Sequence, residues 1–399
     1  MKTLVLYAYY TNQMSYYDDW LDAFMFHDDF NAESVDVFKL VDPDSIRSTH
    51  KKIETYDLII LHHSMTADTI KYIQPYMSAL KNRSGKLVVF VGNEVNLITI
   101  GMAPKIHLLR ELRAEIIATQ LLQEAGEWLY ESCIDSRVLS LPHGLNTRFY
   151  QYNGQYSTRE IDIGTRSSRY PLTIGDNERN DIIEFFRNSQ ESFRLDLGSV
   201  INSERFTRTE WKNFLSNCKS TLSTEAGTFY LERDDVTAQA IQRYLTSKSK
   251  SIILPKKGFL RDLYSRFIPA PIRKRVVSLI KNHVIEQDQL DTQAEFQEIY
   301  DKFFHQKSVA PVYSKVISSR HFDAIGTRTL HVMYPGRYND ILRPHEHYFE
   351  LRRDHGNLED LKSLLSNDRK LADMTSRIYD YVAKNHTHKH RLDMLLESV

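Results

Sequence analysis

Residues 86–91 read KLVVFV, and residues 56–61 read YDLIIL. Each is a short, continuous apolar run bounded by polar or turn residues, which is typical of a strand buried on both faces of a parallel sheet. Similar runs recur at residues 3–8, 35–40, 116–119 and 137–140. Helix-period stretches lie between them at residues 16–26, 67–80 and 121–130. This alternation predicts βαβ units and a parallel sheet.

A second alternating series begins near residue 161. Strands are expected at residues 161–164, 193–197, 219–223, 251–254 and 329–333, and helices at 178–188, 204–217, 235–246, 318–326 and along the tail 357–396. We therefore predict an α/β fold of two Rossmann-like, doubly wound domains that face a cleft. Residues 1–150 form the first domain and 151–379 the second, and the helix of residues 380–399 packs back on the first. Ligands of open parallel sheets bind outside the carboxyl ends of the strands, so the cleft is the expected ligand site.

Composition narrows the classes of protein. The chain has 399 residues, 41% of them hydrophobic, and 52 Lys and Arg balance 52 Asp and Glu. That balance disfavours a surface coated for nucleic acid, so no nucleic-acid partner is expected. Cys133 and Cys218 make neither a disulfide framework nor a four-thiolate zinc site, and they fit a reducing cytosol. No apolar run approaches the roughly 20 residues of a membrane span, so a cytoplasmic protein is predicted.

The common nucleotide, metal and hydrolase motifs are absent. No GxGxxG follows the first strand, and the chain contains no Walker loop, HExxH or Gly-x-Ser-x-Gly elbow. Dehydrogenase, P-loop, zincin and α/β-hydrolase interpretations all lose support. The histidines of NHTHKHR alternate along a predicted helix and point in different directions, so no metal site is predicted there. Asp234 and Asp235 are better interpreted as a helix N-cap than as metal ligands.

One basic stretch interrupts the alternation. Residues 255–283 carry many Lys and Arg residues, among them Arg273, Lys274 and Arg275, against the single acid Asp262, and aromatic and aliphatic residues lie between the charges. Basic amphipathic helices of this type lie on anionic membrane surfaces. The alternative is a solvated helical hairpin packed on its own domain. Changing Arg273, Lys274 and Arg275 to Glu distinguishes the two. If the segment binds the membrane surface, the variant should no longer bind anionic vesicles, and unchanged binding would exclude that role.

Two residues at strand ends are candidate general bases. His63 follows YDLIIL, and Glu94 follows KLVVFV, at positions where a parallel sheet delivers side chains to the crevice. A neutral His or a carboxylate there is able to deprotonate an acceptor hydroxyl if the reaction is an inverting transfer, and the sequence leaves inverting and retaining chemistry open. The alternative for each is a hydrogen-bonded loop residue.

Residues 316–351 hold the densest set of candidates. A predicted helix carries Arg320 and Asp323 and is followed by the short strand LHVM, after which Pro335-Gly336 is expected to open another helix. Free amides at that helix start, with Arg320 nearby, suit a diphosphate, and an acidic side chain one turn away suits a ribose diol. The alternative is an ion pair between Arg320 and Asp323 within one helix.

Several segments of the chain resemble those of a known protein family. Arg-His-Phe-Asp-Ala-Ile (320–325), Gly-Arg-Tyr-Asn-Asp-Ile-Leu (336–342) and Pro-x-x-His-Tyr (344–348) resemble the nucleotide-sugar half of GT-B glycosyltransferases. They are especially similar to the bacterial surface-polysaccharide group with an R-x-F-E-A motif. NHTHKHRLDMLL (385–396), LPHGLNTRFY (141–150) and IDIGTRSSRYPLTIGD (161–176) resemble further segments of that group, in the same order along the chain.

The resemblance implies roles for particular residues. Asp323 stands where the family usually has the Glu that holds the donor ribose, and Arg320 lies beside it. Lys315 stands where the earlier Glu of the retaining pair would fall. Further implied donor-site residues follow the second-domain strands: Arg166 and Arg169 for the diphosphate, Glu225 and Gly227 facing the cleft, and Gly336, Arg337 and Tyr338 at the phosphate end.

The function implied is sugar transfer from a nucleotide-activated donor to a cell-surface polysaccharide or a lipid-linked glycan. The reaction needs neither a metal nor another cofactor, and the basic segment would hold the enzyme at the inner face of the membrane. Two alternatives remain, a nucleotide-sugar epimerase of the same fold and a non-catalytic subunit of glycan assembly.

Overall fold

A computed structural model describes residues 1–12, 14–40, 42–152, 154–167, 170–188, 192–198, 206–248, 293–307 and 311–399. Six parallel strands form the first sheet, in the order β2-β1-β3-β4-β5-β6. They are β1 (Lys2–Tyr7), β2 (Asn31–Asp36), β3 (Leu58–Leu61), β4 (Lys86–Phe90), β5 (Ile116–Thr119) and β6 (Arg137–Ser140). The helices between them are α1 (Ser15–Met25), α2 (Pro43–Thr55), α3 (Met77–Lys81), α4 (Met102–Leu112) and α5 (Gln123–Leu129).

A second parallel sheet has five strands in the order β11-β10-β9-β7-β8. They are β7 (Ile161–Gly164), β8 (Leu195–Asp196), β9 (Cys218–Ser223), β10 (Leu330–Met333) and β11 (Phe349–Glu350). Its helices are α6 (Glu178–Asn188), α7 (Arg208–Ser216), α8 (Val236–Lys248), α9 (Gln293–Phe303), α10 (Ser319–Gly326), α11 (Leu358–Leu365) and α12 (Asp368–Asn385), and α13 (His388–Leu396) ends the chain. The α/β prediction of two doubly wound parallel sheets is confirmed.

The strand order marks one crevice in each sheet. In the first sheet the order reverses between β1 and β3, and in the second between β7 and β9. Helices that leave neighbouring strands at a reversal go to opposite faces and leave an opening at the carboxyl ends. Fully buried aliphatic strands such as LIIL of β3 make this geometry stable, because each strand is covered on both faces.

Three local predictions are wrong, and the continuous helix predicted along residues 357–396 is instead three helices, α11, α12 and α13. Residues 67–80 were expected to be one helix, but only a 3-10 turn (Gln74–Tyr76) and the short α3 form there. Pro75, which lies in that turn, removes a backbone N–H from any longer helix. The second strand is Asn31–Asp36 rather than 35–40, and as a half-exposed edge strand it lacks a continuous apolar run.

The third wrong prediction is the helix after Gly336. Tyr338, Asn339 and Asp340 all have positive φ, at 46°, 53° and 58°. A left-handed run of this kind cannot continue into a right-handed α-helix. The free helix amides expected at this point are therefore absent from the described residues.

The last helix lies against the first sheet. Leu392 and Leu395 of α13 are buried in one cluster with Val5, Trp20 and Phe24. The boundaries at residues 150 and 379 stay predictions. None of the described helices is long and apolar enough to cross a membrane.

Candidate functional site

A cavity of about 330 Å³ lies where the carboxyl ends of the two sheets face each other. From the first domain, its walls are built by loops after β1, β4, β5 and β6: Met14, Ser15, Tyr16, Asn93, Glu94, Val95, Leu97, Gln120, Leu121 and His143. From the second domain, the main polar contributors are Arg166, Arg179, Arg208, Ser314, Ser318, Ser319 and Arg320. The second domain therefore contributes four arginines to the cavity. Glu94, from the first domain, is the single carboxylate among the described residues that line it.

Two of the four arginines were predicted from the sequence. Arg166, directly after β7, forms an ion pair with Asp196 at 2.7 Å and packs over Phe214. Arg320 lies in the first turn of α10 and donates to Ser167 Oγ at 2.8 Å. Both guanidinium groups are held in place by partners on their own domain.

The other two arginines were missed. Arg179, in the first turn of α6, donates to the Tyr170 hydroxyl at 2.8 Å and makes no ion pair with a carboxylate among the described residues. Arg208 opens α7 and pairs with Asp19 and with Asp22, at 2.7 Å from the latter, both on α1 of the first domain. The capping box of Thr207 and Glu210 is the sequence signal that would have placed Arg208 at a helix start.

The amino end of α10 also reaches the cavity. Ser318 is its N-cap, closed by a reciprocal capping box with His321, and Ser319 and Arg320 line the cavity wall. The free amides and partial positive charge of a helix start add to the arginine charges. The helix start predicted at residues 335–336 is thus supplied by a different helix.

Glu94 lies at the cavity wall but is already hydrogen-bonded. Its Oε1 accepts from Thr119 Oγ1 and from the Tyr130 hydroxyl, each at 2.6 Å, and Oε2 accepts from the Gln120 amide at 2.9 Å. Burial raises the pKa of Glu94, against the lowering effect of these hydrogen bonds. The carboxylate is therefore held rigidly with part of Oε2 left for a ligand.

His63 does not reach the cavity. It is fully buried, stacks near His143 at 5.6 Å between ring centroids, and neither ring nitrogen has a hydrogen-bond partner. Burial holds the pKa of His63 well below its usual value. His63 and Glu94, the two candidate bases, therefore lie in different environments, and only Glu94 is accessible from the cavity.

Asp323 is turned away from the cavity. Its Oδ2 accepts from Ser15 Oγ at 2.9 Å and from Trp211 Nε1 at 3.0 Å, and the residue is 2% exposed. Burial raises the pKa of Asp323 to about 6. In this structure the carboxylate joins the second domain to the start of α1 rather than lining the cavity, and Arg320 does not pair with it.

Glu225 and Gly227 follow β9 as expected. Gly227 lines the cavity with φ of +81°, a conformation that favours glycine. Glu225 lies behind it, where Oε1 accepts from the Tyr338 amide at 2.7 Å and Oε2 binds the Tyr313 hydroxyl. Burial raises the pKa of Glu225.

Gly336, Arg337 and Tyr338 are not among the lining residues. A Cβ at Gly336 would overlap the Glu225 carboxylate, and Arg337 pairs with Glu124 of the first domain at 2.9 Å. The turn they form holds the two domains together beside the cavity. Arg169, Arg273, Lys274 and Arg275 lie outside the described residues, as do the predicted strand 251–254 and the segment 255–283.

Lys315 has a clear structural partner. Its Nζ pairs with Asp176 at 2.9 Å and with Glu178, and the side chain is 1% exposed.

Among the described residues, no group of three or more His, Cys, Asp or Glu side chains is arranged to hold a metal ion.

No protein-family model and no curated protein sequence matches the chain. Solved structures align over its length at low identity. An alpha-glucosyltransferase in complex with UDP and a 13-mer DNA containing a central A:G mismatch is 11% identical, with a TM-score of 0.47, and the alignment covers 100% of this chain and 98% of that one. Anabaena Alr3699/HepE in complex with UDP-glucose is 10% identical over 100% of both chains, with a TM-score of 0.47. TarM is 10% identical over 88% of this chain and 57% of its own, with a TM-score of 0.43.

The exclusion of nucleic acid is corrected by these comparisons, because a structure that aligns over the whole chain holds DNA together with UDP. The reason for the error is physical. Equal totals of 52 basic and 52 acidic residues describe the net charge of the whole chain, whereas a ligand interacts only with the charges near its binding site. Here four arginines gather on one wall of a single cavity.

Proposed function

We propose that the chain transfers a sugar from a nucleotide-activated donor to a surface polysaccharide or lipid-linked glycan acceptor. The observation that carries the proposal is the arginine wall of the cavity, Arg166, Arg179, Arg208 and Arg320, beside the amino end of α10. Guanidinium groups and helix amides are the usual partners of phosphate oxygens. The second domain would hold the donor and the first domain the acceptor.

The wall suits the charge that develops in sugar transfer. As the bond between the sugar carbon and the β-phosphate oxygen breaks, its electron pair stays on the nucleoside diphosphate. Cationic groups already in place stabilise that charge without reorganising, which is the largest contribution that such sites usually make. In this proposal the arginines supply this stabilisation without a metal ion.

Glu94 is the proposed base. It lies on the wall opposite the arginines, and burial raises its pKa, which makes the carboxylate a better proton acceptor. The acceptor oxygen bonds to the sugar carbon while its proton passes to Oε2. His63 is not retained as a base, because no face of it reaches the cavity.

The donor site is tested by thermal-shift measurements against UDP, GDP, CDP, dTDP and CMP, with and without added metal. We expect one nucleotide to raise the melting temperature of the wild type. Arg179→Gln should lose most of that rise, because it removes a cavity-facing cation, and Arg137→Gln, a change on an exposed residue of β6, should keep it. No shift with any nucleotide would overturn the proposal.

Glu94→Gln tests the proposed base. We expect the transfer rate to fall by about 100-fold or more, with nucleotide binding unchanged, because the amide keeps the shape but cannot accept a proton. Release of nucleoside diphosphate in the presence of acceptor is the measurement. Glu127→Gln, on the adjacent α5, is the control. Conversion of the donor sugar without any acceptor would instead indicate an epimerase.

A further inference from the structure

A second, smaller pocket lies directly behind the arginine wall. Its volume is about 20 Å³, room for one oxygen-sized group. It shares Arg179, Arg320 and Ser318 with the main cavity, so the two spaces meet at these side chains. Thr165 after β7 and Thr224 after β9 also line it, which places it where the strand order of the second sheet reverses.

His321 lines this pocket and carries a ring nitrogen, Nε2, without a hydrogen-bond partner. Its Nδ1 lies 3.0 Å from the Ser318 backbone nitrogen and 3.2 Å from the Ser318 carbonyl oxygen. The backbone N–H of Ser318 is only a donor, and the neutral tautomer whose Nδ1 accepts from it carries its proton on Nε2. Nε2 is sealed from solvent and has no hydrogen-bond partner, and the residue is 0% exposed. Burial keeps the pKa of His321 well below its usual value, so the ring is neutral.

Thr224 presents a second unused group. Its Oγ1 is buried without a hydrogen-bond partner, and the residue is 4% exposed. Buried polar groups without partners are rare in proteins, and each calls for a partner that binds there. Two of them line this one pocket, together with Arg179 and Arg320.

We propose that the pocket is an oxyanion pocket that receives one phosphoryl oxygen of the donor diphosphate. Nε2–H of His321, the Thr224 hydroxyl and the two guanidinium groups are all able to donate to that oxygen. The same four groups disfavour a cation in the pocket, because the two guanidinium groups are positively charged and Nε2–H is a hydrogen-bond donor. The inference rests on the proposed function, since it assigns His321 and Thr224 as binding residues of the same donor.

Four substitutions, two at each position, separate the donor groups from their structural roles. His321→Asn keeps an acceptor where Nδ1 caps α10 but loses the distal N–H, whereas His321→Gln keeps a distal donor. Thr224→Val removes the hydroxyl with little change of shape, and Thr224→Ser keeps it. Thr49→Val, a buried threonine on α2 far from the pocket, is the matched control.

The measurement is calorimetric binding of inorganic pyrophosphate and of the nucleoside diphosphate selected by the thermal-shift experiment. We expect His321→Asn and Thr224→Val each to weaken both ligands by about tenfold, which is typical of one lost hydrogen bond to a charged group. Thr224→Ser and Thr49→Val should bind as the wild type does, and His321→Gln should retain part of the affinity. Melting temperatures of the ligand-free variants show that each is folded.

The possible results distinguish a failure of the pocket assignment from a failure of the proposed function. Nucleotide binding that stays within twofold of wild type in His321→Asn and Thr224→Val would mean that the pocket holds only a water, which overturns the inference and leaves the donor site intact. Pyrophosphate binding that weakens in both variants, with no nucleotide bound by any form, would support the pocket and overturn the nucleotide-sugar proposal.

Discussion

At the scale of single residues, buried histidines are the least expected feature. His62, His63, His143 and His388 lie together beneath the first-domain wall, with Trp20 between them. Burial lowers the pKa of His62 and of His143 to about 3, and it holds the pKa of His63 and of His388 well below the usual value of a histidine. The chain therefore folds around uncharged imidazoles.

This cluster predicts acid sensitivity. A histidine whose folded pKa is depressed binds fewer protons folded than unfolded, so stability is present above about pH 6.5 and is lost as the pH falls toward the folded pKa. His63→Phe should reduce the slope of unfolding free energy against pH by up to about 1.4 kcal/mol per unit. Urea unfolding at pH 7.5, 6.0 and 5.0 measures the slope. The exposed His107→Phe should leave it unchanged, and equal slopes in wild type and His63→Phe would contradict the prediction.

At the scale of elements, helix ends are completed by distant residues. Asp235 was expected to cap the helix that follows it, α8. Instead its Oδ1 accepts from the Met102 amide at 2.9 Å and its Oδ2 from the Ala103 amide at 2.7 Å, at the start of α4 in the other domain. A Cβ at Gly101 would overlap that carboxylate, so glycine permits the approach.

Asp235→Ala should therefore destabilise the protein. We expect the free energy of unfolding to fall by about 1–2 kcal/mol, because two helix amides lose a charged acceptor. Urea unfolding followed by circular dichroism is the measurement. Asp234→Ala, an exposed neighbour whose Oδ1 accepts from the Val236 amide at 3.3 Å at the start of α8, should change it by only about 0.5 kcal/mol. Similar losses in both variants would argue against the cap.

At the scale of the whole molecule, the two domains are held by ion pairs and by the chain end. Arg208 joins α7 to α1, Arg337 joins the second domain to Glu124, and α13 covers the face of the first sheet beside Trp20. The position of the last helix therefore bears on the stability of the first domain, although the helix is farthest from it in sequence.

Leu392→Ala tests that contribution. Removing a fully buried leucine side chain from the shared core should cost about 2–5 kcal/mol of unfolding free energy. Met394→Ala, at a 39% exposed position on the same helix, should cost far less. Denaturant unfolding measures both. A loss for Leu392→Ala no larger than for Met394→Ala would show that α13 adds little to the first domain.

The sequence by itself determined the elements and their class. Strands such as Ile116–Thr119, and helices such as Glu178–Asn188, agree with the expected bounds, because burial on both faces or on one stripe leaves a local apolar period. Arg166, Glu94 and Gly227 all line the cavity, since residues after parallel strands emerge at one edge, and their roles there stay predictions.

Only the tertiary structure decided which side chains share a site. Ser15 and Asp323 meet although 308 positions separate them, and Arg179, Arg208, Thr224 and His321 gather behind or beside one cavity without a local motif. It also buried His63 and turned Asp323 from the cavity. The apolar periodicity of an element shows which of its faces packs against the core. The pairing of distant side chains depends instead on how the two domains pack, which no short stretch of sequence encodes.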